Sequence, residues 1–160
     1  MRIVLQRVKK AAVRVDGKTV SEIGVGLLIF LGAEKGDTEA EVAYLSKKIV
    51  NLRVFPDEND KMNLSVKDVD GEILVVSQFT LASCIKKGNR PSFSDALEED
   101  IAEKLYEQFV EEVRKEGVRV ETGVFKARME VSLVNDGPVT FVLERKSKHP
   151  ELNSGQISSD

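Results

Sequence analysis

Residues 24–32, Gly-Val-Gly-Leu-Leu-Ile-Phe-Leu-Gly, leave this chain little choice. The stretch is continuously apolar and closed by glycines at both ends. It is far below the roughly 18 apolar residues that a membrane span requires. Such a run suits a strand buried on both faces, so other elements must cover it above and below. The remaining periodicities supply those elements. "RIVLQRV" and "AAVRVDGKTVSEI" read as strands, the second folded at Asp16-Gly17, a two-residue hairpin signal. Thr38-x-x-Glu41 has the spacing of a capping box, opening a helix with Ala43, Leu45, Ile49 and Leu52 for its inner side. "RVFPDENDKMNLSV" holds a turn and a short extended piece, and "GEILVVSQFTL" is a further strand. A second helix is expected from about Leu97 to Glu116, with Ile101, Leu105, Phe109 and Val113 at i, i+4 spacing and Gly117 as its stop. "VRVETGVF" and "ARMEVSLVNDGPVTFVLE" return to strand. In the latter, Asn135-Asp136-Gly137-Pro138 reads as a tight turn between the arms of a hairpin. Two helices against many strands, without regular alternation, predict an α+β fold: a curved, largely antiparallel sheet or partial β-barrel.

Domain organisation follows from the same pass. At 160 residues the expectation is one domain over residues 1–144, followed by a polar, flexible tail over 145–160. The beginning of the chain lacks the charged, apolar and cleavage regions of a signal peptide. One cysteine precludes an internal disulfide. A cytoplasmic protein with no membrane association is therefore expected. A net charge of −3 argues against a general nucleic-acid coat, so any nucleic acid should be gripped locally.

The chemistry is narrowed by an absence. The single histidine, His149, lies in the tail, so the domain itself should have none. Ser-His-Asp and Cys-His catalysis and the common histidine-containing zinc sites are then excluded. No metal or cofactor is expected, and "GVGLLIFLG" is not a phosphate cradle. What remains is Ser77, Gln78 and Thr80 at the end of an apolar strand, with Ser77, Phe79 and Leu81 on one face and Gln78 and Thr80 on the other. Arg7 sits among apolar neighbours, and if it points inward it needs an acceptor such as a backbone carbonyl. Lys86, Lys87 and Arg90 share a short loop, which reads as a solvated face or as a grip on phosphate. Cys84 beside it reads as an inert small residue. The proline after Gly137 removes a donor at the mouth of a strand, and its ordinary reading is a rigid turn.

Taken in order, "QRV", "KMNLSV", "VVSQFTLA", "RPSF" and "VSLVNDGPVTF" resemble the D-aminoacyl-tRNA deacylases. The resemblance runs from Met1 to about Glu144. It implies a homodimer that hydrolyses the ester joining a D-amino acid, or glycine mischarged on tRNA(Ala), to the terminal adenosine of tRNA. It implies a cis Gly137-Pro138 peptide that reaches into the other subunit's site and walls off L side chains, with Arg7 bracing it. It places the Phe79-Thr80 backbone at the ester, Ser77 and Gln78 around the pocket, and Phe125 and Met129 beside the adenosine. Asn135 joins the supporting or substrate-binding set. With no imidazole, the expected mechanism is hydrolysis assisted by the substrate's 2′-OH, with backbone N–H groups stabilising the oxyanion. A Thr80 nucleophile, a non-catalytic RNA-binding module and a hydrolase of some other small ester or amide are the alternatives.

Overall fold

The computed structural model describes residues 1–148; His149 and the rest of the expected tail lie outside the described residues. The chain folds as strands β1 (Arg2–Val15), β2 (Lys18–Ile23) and β3 (Gly26–Gly32), helix α1 (Glu39–Asn51), and short strands β4 (Phe55–Pro56) and β5 (Met62–Leu64). These are followed by β6 (Glu72–Ser77), a 3-10 turn (Phe79–Ala82), helix α2 (Glu99–Lys115), β7 (Arg119–Thr122) and β8 (Glu130–Glu144). No helix among the described residues is long and apolar enough to cross a membrane.

The sheet is mixed and nearly closed. The first half of β1 pairs antiparallel with β3, its second half pairs antiparallel with β2, and β8 pairs antiparallel along almost its whole length. β3 pairs parallel with β6, and β6 parallel with β7. Three of these five pairings are antiparallel, as a largely antiparallel sheet requires, and the two parallel ones make the sheet mixed. Both parallel pairs follow from helices α1 and α2 acting as crossovers, which antiparallel hairpins do not need. β2 curls back towards β6 and β7 and leaves a partial barrel.

β3 is buried on both faces, as its apolar run requires. One face joins Ile3, Leu5, Ile73 and Val75 under the two helices, and on the other Leu28 meets Val8, Ala11, Leu74 and Val76. Thr38 caps α1 with both bonds of a capping box. Its inner face is Val42, Leu45, Ile49 and Val50, whereas Ala43 is exposed and Leu52 lies at the C-cap. In α2 Leu105, Phe109 and Val113 are buried, but Ile101 is exposed. That residue sits in the first turn, before the helix reaches the core.

Two local expectations are overturned. Arg2–Val15 is one strand, not two: at the exposed Lys9-Lys10 pair its pairing with β8 shifts register between Val8 and Lys10 and then continues. Val131–Glu144 is not a hairpin. β8 stays on β1 throughout, with Asn135 opposite Val8 and Thr140 opposite Gln6, so residues 136–139 bulge out opposite Arg7. Turn residues let a chain reverse, but they also let it loop out and rejoin the same partner. Order continues past Glu144: Arg145 N–H donates to the Met1 carbonyl at 3.0 Å, and the Met1 nitrogen donates to the Arg145 carbonyl at 2.7 Å.

Candidate active site

β3, β6 and β7 run parallel, so their C-terminal ends reach the same edge of the sheet. That edge is the usual place for a ligand on parallel strands, because the connecting segments leave a crevice there. Here it holds a cavity of about 490 Å³, lined at its working end by Ser77, Gln78, Phe79, Phe125 and Met129. The volume falls within the range of roughly 300–1,000 Å³ typical of small-molecule sites. Five of the residues expected at the site are therefore together.

The sequence dictates how the wall bends. β6 ends at Ser77, and Gln78 N–H closes onto the Leu31 carbonyl at 2.8 Å before the chain tightens into the 3-10 turn. The alternation of faces expected through Leu81 therefore stops at Ser77. Gly32 makes the bend possible: a Cβ there would lie 2.8 Å from both the Gln78 carbonyl oxygen and Leu81 Cβ. The opening N–H groups of such a turn, those of Phe79 and Thr80, have no partner within it. Phe79 is 60% exposed and rests against Phe93, with ring centroids 5.1 Å apart. Thr80 does not line the cavity; its hydroxyl accepts a 2.5 Å hydrogen bond from Gln78 Nε2.

A second cluster forms around the bulge of β8. The Gly137-Pro138 bond is cis, and both residues are exposed. Arg7 is buried beneath them, donating from Nε to the Asp136 carbonyl at 2.9 Å and from Nη1 to the Val54 carbonyl at 2.7 Å. These are the backbone acceptors that an inward arginine requires. Asn135 clasps the base of the bulge: its Oδ1 accepts from Val139 N–H at 2.7 Å, and its Nδ2 donates to Thr140 Oγ1 at 3.0 Å. Gly137 sits at φ +141°, and a Cβ would lie 2.7 Å from Val139 Cγ2 and 3.2 Å from Arg7 Nη2. Only glycine fits that conformation and that space. None of Arg7, Asn135, Gly137 and Pro138 lines the cavity of its own chain.

Sequence reading missed three residues of the site. Tyr106, on the inner face of α2, donates its hydroxyl to the Val75 carbonyl at 2.8 Å and tilts against Phe125, fixing the far wall. Burial pushes its phenol up to about 12. Its signal was its place next to Leu105 on the apolar face. Glu99 and Lys126 both line the cavity and pair with one another. They are 27 positions apart in sequence, and no local pattern joins them.

A family model and the curated relatives point to one family. A model of the D-Tyr-tRNA(Tyr) deacylase family matches residues 4–144. A D-aminoacyl-tRNA deacylase of Thermodesulfovibrio yellowstonii is 58% identical over 143 residues, covering 89% of this chain and 98% of the relative. One of Thermosipho africanus is 56% identical over 146 residues, covering 91% and 98%. Among solved structures, a c-Myc DNA unwinding element binding protein superposes with a TM-score of 0.86 at 46% identity, covering 91% of this chain and 99% of that one. A probable eukaryotic D-amino acid tRNA deacylase shares the fold, with a TM-score of 0.75 at 20% identity over 89% and 97%. The match takes in nearly all of β1, the whole cavity wall and the braced bulge of β8, and it places the chain in the D-Tyr-tRNA(Tyr) deacylase family.

Proposed function

We propose that this chain hydrolyses the ester between a D-amino acid, or glycine mischarged on tRNA(Ala), and the terminal adenosine of tRNA. Its family makes it a hydrolase of ester bonds. The observation that carries the reading is the cavity wall Ser77-Gln78-Phe79 facing Phe125 and Met129, with family likeness across all of it. The adenosine lies against Phe125 and Met129, and the ester lies at the Phe79-Thr80 backbone. Donors held there by the fold stabilise the oxyanion without having to reorganise.

Rejection of L-aminoacyl groups needs a wall on one side of the α-carbon, because the two enantiomers have identical polarity. Gly137-Pro138 supplies it from a second copy of the chain. Two observations support this arrangement. The dipeptide is exposed and away from its own cavity, and Arg7 and Asn135 hold it from beneath, which suits a part that must keep its shape outside its own chain.

Water is activated by the substrate. Among the described residues, the only hydrogen-bond partner of the Thr80 hydroxyl is an amide NH₂, a donor that cannot accept its proton. The ribose 2′-OH lies next to the ester in every substrate molecule and brings its own proximity. The direct test compares D-tyrosyl-tRNA with L-tyrosyl-tRNA in a deacylation assay. Turnover of the D ester should exceed that of the L ester by at least a hundredfold. Equal rates would remove the chirality reading, and binding without any turnover would leave a nucleic-acid-binding module.

A further inference from the structure

We infer that residues 85–91 form a basic hairpin that grips the phosphates of the single-stranded RNA leading into the cavity. The inference rests on the deacylase reading and adds to it the part of the chain that holds the RNA backbone.

The root of this hairpin is fixed. Cys84 N–H donates to the Ser92 carbonyl at 2.8 Å, and Ser92 N–H donates to the Cys84 carbonyl at 3.0 Å. One residue further on, Phe93 packs on Phe79, which is itself part of the cavity wall. The hairpin is thus bolted to the mouth of the site. Every residue from Ile85 to Pro91 is exposed, and Gly88 at φ +67° forms the apex. From Ser92 back to the apex is four residues, at most about 14 Å of extended chain. The cations it carries stay within a few nucleotides of the cavity.

Charge sets the ligand. Residues 85–91 hold Lys86, Lys87 and Arg90 and no acid, in a chain whose net charge is −3. None of the three cations takes part in an ion pair among the described residues. Unpaired cations on a loop anchored at its root are what a phosphate backbone selects, with arginine offering a fork and lysine a point charge. The opposite side of the mouth is unsuitable. Lys126 is occupied by Glu99, and Glu98, Glu99 and Asp100 all sit at the start of α2. A polyanion is turned away from that helix and towards the hairpin. The exposed Phe79–Phe93 pair at the hairpin's root adds faces on which an unpaired base can stack.

The test replaces Lys86, Lys87 and Arg90 with alanine together and uses two readouts. The first is the salt dependence of binding to uncharged tRNA. Each phosphate contact to a single strand contributes about 0.7 to the log–log slope, so losing three should reduce it by about 2. The second is the ratio of kcat/KM for D-tyrosyl-tRNA to that for the D-tyrosyl ester of adenosine, which lacks those phosphates. That ratio should fall at least tenfold, through KM and not kcat. An unchanged slope would overturn the inference, as would equal losses on both esters. So would duplex DNA binding as tightly as tRNA with the same change of slope. A wild-type chain that hydrolyses neither ester would sink the deacylase reading, and the slope on uncharged tRNA would still decide the hairpin.

Discussion

At the scale of single residues, the proposed mechanism turns on the Thr80 hydroxyl and its hydrogen bond from Gln78. A threonine hydroxyl attacks an ester only when something removes its proton, and the carboxamide NH₂ that donates to its oxygen cannot accept that proton. Among the described residues, the one carboxylate lining the cavity is Glu99, and it is held by Lys126. Thr80→Ala is therefore expected to keep kcat on D-tyrosyl-tRNA within about tenfold of wild type, a change of no more than ~1.4 kcal/mol in the barrier. A tRNA ending in 2′-deoxyadenosine and charged on its 3′-OH should bind normally and be hydrolysed at least a hundredfold more slowly. Single-turnover kinetics with both substrates checks the pair. A dead Thr80→Ala with normal turnover of the deoxy substrate, or a trapped acyl-threonine, would return the chemistry to the protein.

At the scale of elements, helix α1 offers a measurement free of the active site. Burial alone would raise the Glu41 carboxyl, but hydrogen bonds from Thr38 N–H and Oγ1 outweigh it and hold the group below its ordinary value of 4.5. A carboxyl with a lowered folded pKa adds stability above its unfolded value, and that stability is lost as pH falls through the folded one. Thr38→Ala should cost about 1 kcal/mol at pH 7 by denaturant titration. The gap from wild type should narrow below pH 4.5, where protonation of Glu41 weakens half of the capping box in wild type as well. A gap that widened on acidification would mean the box is not what lowers Glu41. This capping box was legible in the sequence because both of its partners lie within one turn. The double-sided burial of β3 was legible because seven residues in a row had no polar face. The bulge of β8 was not. Its turn residues are those of a hairpin, and what decides against one is Arg7 on β1, 129 positions away, with its Nε on the Asp136 carbonyl. Likewise Ser77, Gln78 and Phe79 carried a motif, whereas Glu99 and Lys126 meet only once α2 and the β7–β8 connection are in place.

At the scale of the whole molecule, one strand carries both the dipeptide and an uncovered surface. Among the described residues β8 pairs only with β1, so its other edge is open there, and an open edge is a ready template for another chain. Leu133 and Leu143 turn towards the core, and alternation sends Val134 and Val142 outward, where Val142 is 67% exposed. Gly137 and Pro138 stand exposed between them. A two-fold pairing across this face would use the same patch from both copies and carry each dipeptide out of its own chain. A stable interface of this kind buries on the order of 1,600 Å² in total, so one charge at its centre should break it. We expect the chain to sediment as a dimer at micromolar concentration and Val142→Glu to sediment as a monomer. The monomer keeps its cavity but has no partner to wall off the α-carbon, so its ratio of D- to L-tyrosyl-tRNA turnover should collapse towards one. Circular dichroism separates this from unfolding, because Val142 is exposed and belongs to neither core cluster. A monomeric Val142→Glu with full discrimination would mean that the filter acts within one subunit, and the exposed position of Gly137-Pro138 would then need a loop movement to explain it.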